Sequence, residues 1–97
     1  MSIIAVTRHP GARAWLTEQG VEADRLVDHL NVDEVGPGDM VVGALPAHVA
    51  ADICSRGARY FHIVMELPAG LRGKELTADE MRRCGARLEE YRVEQLE

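Results

Sequence analysis

Two segments of this chain share one local grammar. "IIAVTRHPGARAWLTEQG", starting at Ile3, and "MVVGALPAHVAADICSRG", starting at Met40, are each an apolar run, a short turn, a proline and a helix pattern closed by glycine. A continuous apolar run is expected of a strand buried on both faces. Proline is tolerated at the first helical position, where its missing N–H has no partner to lose, and glycine suits the position just past a helix end. Two such units predict an α/β layered domain with a mainly parallel sheet. They also place two helix N-termini at the carboxyl ends of two strong strands, where free N–H groups and the helix dipole favour anions. Identity between the segments is too low to indicate a duplication.

The remaining pattern fits the same class. A weaker strand is expected over Arg25 to Leu30, with Leu26, Val27 and Leu30 as its apolar members, followed by a loop from Asn31 to Asp39. The strong strand from Met40 extends to Leu45. Pro46 opens a helix with a buried stripe of Val49, Ala50, Ile53 and Cys54. A strand over Tyr60 to Leu67 is stopped by Pro68, and the loop "PAGLRGKEL" leads to a last helix capped by Thr77 and Glu80. Met81, Cys84, Leu88 and Tyr91 recur at helical spacing, so this helix is expected to run through Tyr91. The expectation is one domain over residues 1–97, with about four strands and three helices.

Composition bounds the function. A chain of 97 residues carries a single core, and at 46% hydrophobic residues with a net charge of −5 it is expected to fold. The longest stretch without a charged residue, Met40 to Ala51, is too short to span a bilayer and contains Pro46. No basic, apolar leader precedes Ile3, so a cytoplasmic location is expected. Cys54 and Cys84 show no disulfide or zinc spacing, and neither a metal nor a cofactor is implied. Net acidity argues against gripping long nucleic acid. It leaves room for a compact anionic ligand.

The most chemically loaded segment is "TRHPGA" at residues 7 to 12. Thr7 can donate or accept a hydrogen bond, Arg8 offers a bidentate fork, His9 carries an imidazole that can take or give a proton, and Gly11 admits close approach to the backbone. Each also has a structural reading, in which Thr7 and His9 cap the helix and Arg8 is solvated. Arg-His followed by Gly resembles the "RHG" signature of histidine phosphatases, but Pro10 intervenes and a second histidine motif is missing. "GALPAH", residues 43 to 48, offers backbone groups at Gly43 and Ala44 and the N–H groups near Ala47 and His48, with the His48 side chain as a second polar group; its alternative is a tight packing turn. "LRGKEL" brings Arg72 and Lys74 to a loop at the same sheet edge, where they either meet a polyanion or pair with Glu75. His29 and His62, inside expected strands, read as structural. Cys54 and Cys84 read as small core residues, and Glu89, Glu90, Glu94 and Glu97 as a solvated helix face.

Read together, "VTRHPGA", "VVGALP", "RGARY" and "LRGKELTADEMRRCGARLEEYRV" resemble the small CRISPR-associated Csx-sixteen family of type III systems, over nearly the whole chain. The resemblance implies a Rossmann-like (CARF-like) domain. It further implies a ring nuclease that opens cyclic tetra-adenylate and so switches off the antiviral signal, with a non-catalytic sensor or sponge as the alternative. The family supplies the substrate class; the residues supply the site. His9 is assigned as general acid or base, Arg8 as charge stabiliser and Thr7 as the group orienting ribose or phosphate. Gly11, Ala12, Gly43, Leu45, Pro46, Ala47 and His48 would line the ligand cradle, with Arg13, Arg72 and Lys74 as secondary contacts. A ring of four phosphates has rotational symmetry, so a homodimer is the expected partner arrangement.

Overall fold

The computed structural model describes residues 1–71 and 75–97. Five strands form one sheet in the order β2-β1-β3-β4-β5. They are β1 (Ile3–Val6), β2 (Arg25–Val27), β3 (Met40–Gly43), β4 (Arg59–Val64) and β5 (Arg87–Tyr91). The first four are mutually parallel, and β5 runs antiparallel to β4. Among the described residues three α-helices lie between them: α1 (Pro10–Glu18), α2 (Ala47–Ser55) and α3 (Ala78–Arg83).

The apolar runs of β1 and β3 are buried on both faces. Ile4 and Val41 pack with Ala50, Ile53 and Tyr60 on the α2 side, whereas Ala5 and Val42 pack with Trp15, Leu16 and Met81 on the α1 and α3 side. Ile4 and Ala5 are adjacent in sequence and each is only 1% exposed, as a central strand between two helical layers requires. Pro10 opens α1, and Thr77 and Glu80 form the expected reciprocal cap of α3.

The last helix is shorter than its periodicity suggests. It ends at Arg83, and Gly85, at φ +72°, turns the chain back into β5. Leu88 still reaches the α1 and α3 core, but from a strand. Spacings of three and four across a helix, a turn and a strand imitated one continuous helix. The sheet therefore gains a fifth strand. Glu90 consequently does not belong to a solvated helix face: its carboxylate accepts two hydrogen bonds from the Arg59 guanidinium, at 2.7 and 2.9 Å, across the β4–β5 pair. Those bonds hold the Glu90 carboxyl below its usual range.

Strand ends shift as well. β2 stops at Val27, β3 at Gly43 and β4 at Val64, each earlier than the apolar pattern alone implies. The residues released, among them His29, Leu45 and Met65, become loop residues along the carboxyl edge of the sheet. No helix among the described residues is long and apolar enough to cross a membrane.

Candidate functional site

The order β2-β1-β3-β4 reverses direction between β1 and β3, and in open α/β sheets the crevice for ligands lies at the carboxyl edge beside that reversal. A cleft of about 590 Å3 opens there. Its walls come from the loops that leave successive strands: Asp28, His29 and Leu30 after β2; Thr7, Arg8 and His9 after β1; Ala44, Leu45 and Pro46 after β3; Met65 and Leu67 after β4. Leu76 and Met81 close the far side. The β2 and β1 end of the cleft is polar, and the β4 and α3 end is apolar.

The polar end is built around the start of α1. His9 occupies the N-cap position with extended backbone, and its ring makes no capping bond. Instead the Thr7 Oγ1 accepts the His9 N–H at 3.2 Å. The His9 ring is exposed, with Nδ1 3.9 Å from a carboxylate oxygen of Glu75. Arg8, an exposed residue, lines the cleft, and among the described residues no carboxylate pairs with its guanidinium. Arg13 differs: its Nη2 donates to Asp28 Oδ1 at 3.0 Å and to the Thr7 carbonyl at 3.4 Å. One nitrogen of its fork is engaged by protein groups.

At the β3 loop the backbone is also partly committed. The Leu45 N–H donates at 2.8 Å to the hydroxyl of Tyr60, which in turn meets His62 Nδ1 at 2.5 Å. Tyr60 is 2% exposed, and burial raises its hydroxyl pKa. This buried phenol fixes the height of the Leu45 turn against the sheet. His62, packed edge-on between Tyr60 and Tyr91, has the structural place its strand position suggests.

The structure thus gathers Thr7, Arg8, His9, Ala12, Leu45 and Pro46 around one cleft. Gly11, Arg13, Gly43, Ala47 and His48 do not line it. A Cβ on Gly11 would fall 1.7 Å from the Leu76 carbonyl, so the missing side chain serves the packing of α1 against the segment before α3. Gly43 is buried within β3 opposite Val6, and His48 lines a separate groove beside Arg92 and Gln95. Arg72 and Lys74 lie outside the described residues. Asp28 and His29 are the polar lining residues that sequence reasoning missed. The signal available was Asp28 itself: a charged residue followed by histidine is a poor continuation of a short strand whose apolar members are Leu26 and Val27. Among the described residues no cluster of His, Cys, Asp and Glu has the makings of a metal site.

Compared with known proteins, residues 4–94 match the family model described as "Putative CRISPR-associated protein (Cas_VVA1548)". No curated protein and no solved structure matches the chain.

Proposed function

The chain belongs to this CRISPR-associated family, and from that premise we propose that it is a ring nuclease of the Csx-sixteen type, binding and cleaving cyclic tetra-adenylate. The observation that carries the reading is the cleft at the β1/β3 reversal, with Thr7, Arg8 and His9 together at the N-terminus of α1. A phosphodiester set there meets the helix dipole and a guanidinium fork. The reaction is an internal one. A ribose 2′-hydroxyl held in line with its own 3′-phosphodiester attacks phosphorus and leaves a 2′,3′-cyclic phosphate and a 5′-hydroxyl. Because the nucleophile is part of the substrate, the protein has to supply positioning, proton transfer and stabilisation of phosphoryl charge. Arg8 takes the charge, His9 moves a proton, and Thr7 orients the ribose or phosphate.

Size supports a shared site. Pockets of about 300–1,000 Å3 hold a single drug-sized ligand, so a cleft of about 590 Å3 takes only part of a four-nucleotide ring. Two chains related by a two-fold axis would present the same residues to opposite phosphates.

The test is incubation of the protein, in excess over cyclic tetra-adenylate and with a chelator present, followed by mass analysis of the products. Linear fragments ending in 2′,3′-cyclic phosphate support the reading. Intact ring bound tightly moves the protein to the sensor or sponge class, and intact ring without binding removes the nucleotide from the account.

A further inference from the structure

Opening a phosphodiester by its own 2′-hydroxyl needs two proton transfers, one from the nucleophile and one to the leaving oxygen. The site described above assigns one imidazole, His9. A second one stands in the same cleft: His29, two residues beyond the end of β2. β2 and β1 are hydrogen-bonded neighbours, with Val27 beside Val6. Neighbouring strands run about 4.8 Å apart, so the two imidazoles stem from loops one strand spacing apart, the scale of a single phosphodiester.

Arg13 ties these two loops together. From α1 its Nη2 holds Asp28, the residue before His29, at 3.0 Å, and the carbonyl of Thr7, two residues before His9, at 3.4 Å. One guanidinium therefore fixes the base of both imidazole-bearing loops. Among the described residues, the charged groups around the pair are Asp28 and Arg13, Arg8 on the His9 loop, and Glu75 at 3.9 Å from His9; the β3 side contributes the apolar Ala44, Leu45, Pro46 and Val49.

We infer that His29 is the proton-transfer partner of His9, and that Arg13 is the positioning residue that sets their spacing; the inference rests on the ring-nuclease reading. One imidazole, unprotonated, takes the 2′-hydroxyl proton as the 2′-oxygen bonds to phosphorus. The other, protonated, gives its proton to the 5′-oxygen as the P–O5′ bond breaks. The two histidines end with exchanged protonation states, which solvent restores.

The experiment measures single-turnover cleavage against pH for wild type, His9→Ala, His29→Ala, His29→Gln and Arg13→Met. Each is given cyclic tetra-adenylate and the same ring with sulfur replacing the 5′-bridging oxygen, a leaving group that needs no proton. Wild type is expected to show a bell-shaped profile. Loss of either histidine should slow the natural ring by about 10²–10⁴ and remove one limb, and the variant lacking the acid should recover on the sulfur ring. Arg13→Met should slow both rings while keeping both limbs. A His29→Ala or His29→Gln profile that keeps both limbs, or a rate within about twofold of wild type, overturns the assignment. Failure of wild type to cleave is visible in its own reaction, and it overturns the nuclease reading rather than the choice of histidine.

Discussion

Arg8 and His9 stand exposed on one turn, and neither supports the core. Substitutions at such positions change stability by less than about 0.5 kcal/mol. Arg8→Ala and His9→Ala should therefore each leave the thermal midpoint nearly unchanged while lowering cleavage by at least about 10²-fold. Calorimetry and product analysis on the same samples check this, and equal loss of fold and activity would contradict it. Asp39 has the opposite character. Its carboxylate accepts the Gly36 N–H at 3.0 Å and the Ser2 N–H at 2.9 Å, and these bonds hold its pKa below the usual aspartate value. A carboxyl depressed on folding stabilises the native state above its unfolded pKa, and that contribution disappears as pH falls through the folded value. Asp39→Asn should accordingly melt below wild type at pH 7, with the gap closing as the pH is taken below the usual aspartate range. A constant gap across pH would show that the ionised form carries no special weight.

The elements hold the site through close contacts that tolerate little change. The start of α1 lies on the backbone of Leu76 and Thr77, and a methyl group on Gly11 has no space there. Gly11→Ala should destabilise the domain by about 1–3 kcal/mol, the usual range for overpacking, and should shift the His9 turn. Denaturant melts together with a weakened affinity for the ring would show both effects; a neutral substitution would mean that α1 lies farther from this segment. At this scale the sequence is readable where one residue type has one physical use. Pro10 and Pro46 mark the helix starts beside β1 and β3, and Thr7, Arg8 and His9 follow because a residue between such a strand and such a proline has to lie at the cleft edge. β5 was not readable, because Leu88 and Tyr91 sit at helical spacing from Met81 and, of the three residues between Arg83 and Arg87, only Gly85 marks the break. His29 was missed for a related reason: Leu30 extends the apolar pattern of β2, yet pairing with β1 ends at Val27.

At the scale of the molecule, the sheet order matters more than any one residue, because it brings four strand-exit loops to a single edge. Net charge of −5 is compatible with an anion site there, since local potential is set by the helix start and by Arg8 rather than by the total. If each chain holds half of the ring, titration should give one cyclic tetra-adenylate per two chains, and sedimentation should show a dimer with the ring bound. One ring per chain on a monomer would contradict the shared site. The most direct test of the cleft itself is amide chemical-shift mapping with a ring whose 2′-hydroxyls are methylated, so that it binds without being opened. The largest changes should fall on Thr7, Arg8 and His9, on Asp28 and His29, and on Ala44 and Leu45. Changes confined to the groove of His48 and Arg92, or no changes at all, would contradict the placement of the site.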